Sequence, residues 1–201
     1  MGSGAIPVVL LILLVFLTWQ TIYSSNRDLV RAKAWGDLTR RALPFGALAL
    51  MALSLFVIQQ YRQWWVIIIW MAVSGAVIVL SSLFSISALE RRANRAFRRR
   101  DYQRAAELYG ELVQEKPLAR NHAFLGAALG ASEHYEESVE ASTKAIKDDP
   151  DYGLAYYNRA LVLLRMGKKS RAVKDLKKAL EVDLPRRFRT AAREILEQET
   201  A

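Results

Sequence analysis

Residues 121–150 read NHAFLGAALGASEHYEESVEASTKAIKDDP, and the pattern of this stretch returns on both sides of it. Ala105, Ser138 and Ala172 are small residues at equivalent places, spaced by 33 and 34. A period near 34 combined with helical patterning predicts an array of helix–turn–helix units. Three such units fit the chain, at about 86–118, 119–152 and 153–186.

This repeat resembles the tetratricopeptide repeat (TPR) family, which has small or aromatic residues at fixed helix positions and a proline near the end of each unit. Ser138 replaces the usual alanine, and the proline of the third unit comes one place late, as Pro185. The resemblance implies an all-α solenoid over residues 86–186 that binds partners on its concave face. The matching residues are Ala93, Asp101, Tyr102, Ala105, Tyr109 and Pro117 in the first unit, Leu125, Gly126, Tyr135, Ala145 and Pro150 in the second, and Tyr156, Ala160, Gly167, Ala172 and Ala179 in the third.

The tail of the chain is amphipathic. Residues 186–198 carry an apolar stripe at positions i, i+4, i+7 and i+8, with charged residues opposite. Such a helix covers the exposed edge of a terminal repeat, so we predict a capping helix here. The stripe consists of Phe188, Ala192, Ile195 and Leu196.

The first part of the chain has a different composition. Residues 1–86 contain six of the 29 Lys and Arg residues and two of the 20 Asp and Glu residues. Three uncharged apolar runs, at about 5–23, 42–58 and 64–86, each approach the roughly 20 residues that a transmembrane helix needs. We therefore predict a membrane domain of three spans over residues 1–86 and a TPR domain over residues 87–201. Pro7 and Pro44 are expected near helix starts, where a missing N–H costs little.

Basic residues orient the predicted spans. Loops rich in Lys and Arg stay on the cytoplasmic side, and the second loop carries only Arg62. The N-terminus and the second loop are then outside, and the TPR domain is cytoplasmic, or stromal in a thylakoid. The first loop holds Arg27, Arg31, Lys33, Arg40 and Arg41.

The predicted spans contain no Asp, Glu, Lys, Arg or His, so transport and proton pumping are not expected of them. The role that remains for these spans is anchoring, or docking against other membrane helices. Small residues four apart let helix backbones approach closely, although such residues are common in any span. The pairs are Ala42 and Gly46, Ala72 and Ala76, and Ser81 and Ser85.

The sequence offers little to catalysis or metal binding. There is no cysteine, and the two histidines, His122 and His134, fall at a packing position and in a turn of the second unit. No nucleophile elbow, phosphate loop or paired-acid motif is present. We predict that the chain is not an enzyme and holds no metal or cofactor.

The resemblance places a partner-binding groove on the first helix of each unit. The third group of groove residues is unusually apolar, and it fits either an apolar anchor of a partner or contact with the capping helix or membrane. Chaperone-tail receptors of this family use lysines and asparagines where this chain has Glu90, Phe124 and Leu154, so that subtype is not expected. The groove residues are Ser87, Glu90, Asn94 and Phe97, then Arg120, Ala123, Ala127 and Gly130, then Leu154, Tyr157, Leu161, Leu164 and Arg165.

Seven arginines lie between Arg91 and Arg104. On a helical projection, Leu89, Ala93 and Phe97 face the repeat core and most of the arginines face away. Anionic lipid headgroups are the expected contact of this membrane-surface basic patch, at about 1 kcal/mol per basic side chain. The patch consists of Arg91, Arg92, Arg95, Arg98 and Arg99.

A second basic run, residues 167–178, lacks the interleaved aromatic residues that single-stranded nucleic acid needs, and nucleic-acid binding is not predicted. Three roles stay open for this run: a solvated face, contact with lipid headgroups, or contact with an acidic partner.

Because no Gly or Pro lies between Gly75 and Gly110, we also expect the third span to continue without a break into the first TPR helix, from Trp64 to Arg99.

The whole pattern indicates a membrane-anchored scaffold that recruits or assembles protein partners. The layout resembles that of TPR assembly factors for large membrane complexes, such as the photosystem I assembly proteins. The alternative is a permanent accessory subunit of a multi-subunit membrane complex. Partners would bind through the groove and through the membrane helices.

Overall fold

The structure is a computed structural model that describes residues 5–58, 60–61 and 63–200, and these residues form α-helices joined by short turns. The chain divides into two compact units, Met1–Ser87 and Ala88–Ala201. Unit 1 contains α1 (Ala5–Ser25), α2 (Arg27–Arg31), α3 (Trp35–Ile58) and α4 (Trp64–Phe84). Unit 2 contains α5 (Ala88–Arg98), α6 (Tyr102–Glu115), α7 (Ala119–Ala131), α8 (Tyr135–Asp148), α9 (Gly153–Arg165), α10 (Lys169–Glu181) and α11 (Arg186–Thr200).

Unit 1 is built from long apolar helices. Among the described residues, one helix, α4, is long and apolar enough to cross a membrane by length and composition, and none of its residues is buried. The other two expected spans lie in α1 and α3, where some side chains are outside the described residues. The arrangement of three spans therefore stays a prediction, and Arg62 of the second loop also lies outside the described residues.

Two details of unit 1 differ from expectation. Helix α3 begins at Trp35, so the segment before Ala42 is helical rather than loop, and Pro44 is inside the helix instead of near its start. A proline here has no N–H to donate to the carbonyl of Arg40, four residues earlier. The first expected loop also contains the short helix α2. Sequence reasoning placed the helix start where the apolar run begins, but a helix can extend beyond its apolar segment.

The unbroken helix from Trp64 to Arg99 was a wrong expectation. Helix α4 ends at Phe84 and α5 begins at Ala88, with residues 85–87 between them. The hydroxyls of Ser82 and Ser85 donate to carbonyls of the preceding turn, each at 2.7 Å. Serine side chains compete in this way with the backbone hydrogen bonds that continue a helix, so a helix can end here without glycine or proline.

Unit 2 is a solenoid of three helix pairs, in which small residues lie where helices cross. The Ser138 hydroxyl donates to the Gly126 carbonyl at 2.6 Å, joining α8 to α7. A methyl group built at Gly130 would lie 2.5 Å from Cγ2 of Val162 in α9. Larger residues at these crossings would push the helices apart, because protein cores are close-packed.

Each first helix of a pair ends in the same way. Arg100, Glu133 and Gly167 have left-handed φ angles of 63°, 68° and 73°, and they are spaced by 33 and 34 residues. The amide of the following residue donates back to the carbonyl five residues earlier, as from His134 to Leu129 at 2.9 Å. This is the Schellman arrangement, which normally uses glycine. The left-handed backbone conformation thus recurs with the repeat period, even at Arg100 and Glu133, where the residue is not glycine.

Helix α11 closes the last repeat. Its Phe188 ring packs on Tyr157 with centroids 5.4 Å apart, and Ala192 is fully buried. The Arg189 guanidinium donates to three backbone carbonyls, those of Leu180, Val182 and Leu184, at 3.1–3.3 Å. These bonds satisfy carbonyls at and just beyond the end of α10 that have no partner within that helix.

Candidate functional site

Unit 2 contains a concave groove with a cavity volume of about 550 Å³. Its walls come from the first helix of each pair, α5, α7 and α9, from the capping helix α11, and from Tyr109 of α6. A volume of this size suits a small ligand or a few side chains of a partner, and a folded domain would not fit. The side chains on its walls are mostly aromatic, aliphatic or arginine.

Eight of the thirteen residues that the sequence assigned to the groove lie together on these walls. They are Asn94, Phe97, Ala127, Gly130, Leu154, Tyr157, Leu161 and Arg165. The other five do not line the cavity, and they are Ser87, Glu90, Arg120, Ala123 and Leu164. Arg120 and Ala123 are buried in α7, and Leu164 packs against the core of the third unit.

The apolar third group is less open than an exposed groove wall would be. Leu154 and Tyr157 are buried, with 5% and 8% of their surface exposed. The Tyr157 ring packs against the Phe188 ring of the capping helix. Leu161 packs against the core cluster that contains Leu154 and Tyr157. Of the two alternatives left open by the sequence, contact with the capping helix therefore accounts for much of this apolar surface.

Aromatic rings form the middle of the groove. Tyr109 and Phe124 stack with centroids 5.6 Å apart, and the Tyr109 hydroxyl donates to Oδ1 of Asn94 at 2.8 Å. Burial, reinforced by the charge of Glu90, raises the pKa of Tyr109, so the phenol stays protonated and remains a donor. The bond thereby fixes Asn94 in the groove.

Three arginines add positive charge to this apolar surface. Arg165 donates to the Gly130 carbonyl at 3.0 Å, which holds its guanidinium at the groove wall. The Arg187 guanidinium lies over the Phe188 ring, 4.7 Å from the centroid. Arg98 is exposed at the opposite end, on α5. No Asp or Glu is among the described residues that line the cavity, so the groove is cationic.

Arg98, Arg187 and Phe188 were not assigned to the groove from the sequence. Arg98 was grouped with the membrane-surface basic patch, whereas the structure places it beside Asn94 and Phe97 on the groove wall. The helical projection put it in the outward sector, because a projection does not record where a long side chain ends. Phe188 was identified as part of the capping stripe, and nothing in the repeat spacing indicated that this helix also closes the groove.

The remaining arginines of the basic patch lie on α5 away from its packed side. Ala93, on the packed side, is fully buried, whereas Arg92, Arg95 and Arg99 are exposed and Arg91 is half-buried. A charged outer face is what the terminal helix of a solenoid needs in order to stay soluble. This face therefore has a structural role before any ligand is considered.

His122 is a packing residue in the structure. Its ring is buried in α7, and Nε2 lies 3.5 Å from a carboxylate oxygen of Asp148. Burial lowers the pKa of His122 from its ordinary value, because the charged ring would lose its hydration, and the nearby Asp148 only partly opposes this effect.

Unit 1 has its own groove, between α3 and α4, with a volume of about 690 Å³. The Trp70 indole nitrogen donates to the Ser54 hydroxyl at 2.9 Å across it. Ala42 and Gly46 line this groove, as does Ser81, and a methyl group built at Gly46 would have no neighbour within 4 Å. The small residues of α3 thus lie beside open space.

Comparison with known proteins identifies the repeat. A family model described as tetratricopeptide repeat matches residues 141–174. A DnaJ homolog subfamily C member 7 homolog of Dictyostelium discoideum is 28% identical over 111 residues, covering 53% of this chain and 21% of the relative. DnaJ homolog subfamily C member 3 of Bos taurus is 38% identical over 63 residues, covering 31% and 12%. The chain thus matches only about a fifth or less of the length of these curated relatives.

A solved structure shows the same fold. The type III secretion translocator chaperone SycD of Yersinia enterocolitica superposes with a TM-score of 0.53 at 20% identity, over 58% of this chain and 83% of that one. At this identity the likeness concerns the fold alone. Together with the family match and the helix pairs, it shows that unit 2 is an all-α solenoid of the tetratricopeptide-repeat kind.

Proposed function

We propose that this protein is a membrane-anchored TPR scaffold that recruits or assembles protein partners at the cytoplasmic membrane face. The observation that carries the proposal is the contrast between the surfaces of the two units. Every exposed large hydrophobic side chain among the described residues lies in unit 1, from Ile12 to Phe84. An apolar surface of that extent requires lipid or protein around it, whereas unit 2 presents a solvated solenoid with a groove.

The anchoring proposal includes a side of the membrane. Arg91 follows the end of α4 by seven residues, so the basic patch on α5 is close in sequence to the predicted membrane exit. Basic side chains near an anionic surface each contribute about 1 kcal/mol. Together with the five basic residues of the first expected loop, the patch favours the cytoplasmic side for both.

The groove is proposed to bind proteins rather than to carry out chemistry. The matched segments are repeats, and solenoids of this kind present an extended concave surface. The relatives are named as DnaJ homologs, but residues Glu90, Phe124 and Leu154 stand where chaperone-tail receptors have lysines and asparagines. We therefore propose a partner other than a chaperone tail.

As such a scaffold, the protein is proposed to be an assembly factor for a large membrane complex, of the photosynthetic type whose assembly proteins its layout resembles. The alternative is a permanent accessory subunit, which the open groove of unit 1 favours because a neighbouring membrane helix would fill it. Isolation in mild detergent from native membranes separates the two. Loosely bound, precursor-enriched partners support the assembly factor, and a stable one-to-one complex supports the subunit.

A further inference from the structure

Two arginines of the groove lack a carboxylate partner among the described residues. Arg98 and Arg187 are both exposed, and within the described part of the chain neither forms an ion pair with a carboxylate. The chain has 20 Asp and Glu residues elsewhere, and other arginines use them, as Arg104 does with Glu107. The groove therefore combines apolar rings with arginines that form no ion pair among the described residues, although the charge of Glu90 acts on the groove residue Tyr109.

The capping helix prepares one of these cations for binding. The Arg187 guanidinium lies over the Phe188 ring, and the same ring packs on Tyr157. A guanidinium stacked on a ring keeps its hydrogen-bonding edge available, and that edge matches the geometry of a carboxylate. Stacking also restricts the side chain before binding, which lowers the entropy lost when a partner binds.

We propose that the groove binds a short peptide segment in which an acidic side chain lies next to an aromatic or aliphatic one. The acidic group binds Arg187, with Arg98 providing a second positive charge, and the apolar side chain packs on the rings of Phe97 and Phe124. This proposal rests on the proposed function, because it names the partner chemistry of the same groove. It also makes the capping helix, which belongs to no repeat, the part that determines specificity.

The test uses the full chain in lipid nanodiscs and a positional-scanning library of biotinylated hexapeptides, in which each pool fixes one residue at one position. Binding is measured for the natural chain, for Arg187→Gln and for Arg193→Gln. Both variants remove one positive charge from α11, but Arg193 is exposed and does not line the groove. The comparison therefore separates a groove contact from general attraction to a chain of net charge +9.

The expected result is enrichment of pools with Asp or Glu beside Phe, Trp or Leu. Arg187→Gln should weaken the enriched peptides about tenfold, as expected for loss of one charge-assisted hydrogen bond, and Arg193→Gln should change them less than twofold. Equal weakening by both variants, or equal binding of acidic, neutral and basic pools, would overturn the acidic-peptide proposal while leaving the groove a peptide site. If no pool binds, the proposal also fails, and capture of partners from native membranes then decides the proposed function separately.

Discussion

The pairing of Arg159 with Asp175 gives the most quantitative prediction. Arg159 Nε lies 2.7 Å from one carboxylate oxygen of Asp175, and Nη2 lies 2.8 Å from the other. The two side chains are only 17% and 9% exposed, and Arg159 also donates to the hydroxyl of Thr143 at 3.0 Å. The pair therefore joins α9 to α10 and, through Thr143, to α8.

Asp175→Asn should destabilise unit 2 by about 3 kcal/mol, because it leaves a largely buried guanidinium without its anion. This is the lower end of the usual range of about 3–5 kcal/mol, since Arg159 keeps the Thr143 bond and some contact with water. Replacing both partners by apolar residues, as in Arg159→Met with Asp175→Leu, should cost about 1 kcal/mol or less, because no charge then remains buried.

Hydrogen exchange measured by mass spectrometry on the full chain is the suitable assay, because it reports on α9 and α10 separately from unit 1. A loss of 3 kcal/mol corresponds to exchange faster by roughly a hundredfold. If the single variant is no less protected than the double variant, the two side chains do not depend on each other, and the reasoning about the pair is refuted.

Three further predictions concern other parts of the chain. Gly167→Ala should lower the free energy of unfolding of unit 2, measured by hydrogen exchange, by about 1 kcal/mol. The cause is the left-handed φ alone, since no atom lies within 4 Å of the added methyl group. An unchanged free energy of unfolding would contradict this. Because the pKa of His122 lies below its ordinary 6.5, the unfolded chain binds more protons, so unit 2 should lose stability as the pH falls below 6.5. His122→Asn should abolish this loss of stability at low pH, whereas His134→Asn should leave it in place. If both variants keep the pH dependence of the natural chain, the role of His122 is refuted. In this cysteine-free chain, an impermeant maleimide should label Tyr61→Cys but not Lys177→Cys on intact cells, and the reverse would invert the proposed orientation.

The repeat solenoid was predictable because each helix pair needs the same types of residue at the same positions, so these residue types recur with a fixed period. Small residues recur where helices cross, since a side chain there would meet the neighbouring helix, as at Gly130 against Val162. The left-handed turns were only partly visible. Gly167 indicated one, but Arg100 and Glu133 adopt the same conformation without a glycine, because the surrounding hydrogen bonds impose it.

The candidate site was less predictable, because it depends on where side chains reach. Repeat position grouped Asn94, Ala127 and Leu161 from three different units, and these residues line one cavity in the structure. It did not indicate that Arg98 turns into the groove or that Phe188 covers Tyr157, since both depend on side-chain conformation and on the angle of the capping helix. Local spacing carries no information about either.

The break after α4 shows the same limit. Absence of glycine and proline predicted a continuous helix, yet a cluster of serines accompanies its end at Phe84. Side-chain hydroxyls that bond to the preceding turn are a weaker signal than a helix-breaking residue, because they only slightly destabilise a helix.

Recruitment of protein partners by the groove of unit 2 can be tested with one pair of variants. Ala127 lines the groove and is half-buried, so Ala127→Arg would obstruct the groove, whereas Gln114→Arg adds the same charge at an exposed position outside it. The measurement is quantitative mass spectrometry of proteins that co-purify with each tagged chain from native membranes in mild detergent. If the groove recruits the partners, Ala127→Arg loses the proteins that the natural chain and Gln114→Arg both retain. Identical partners at identical abundance in all three would contradict it.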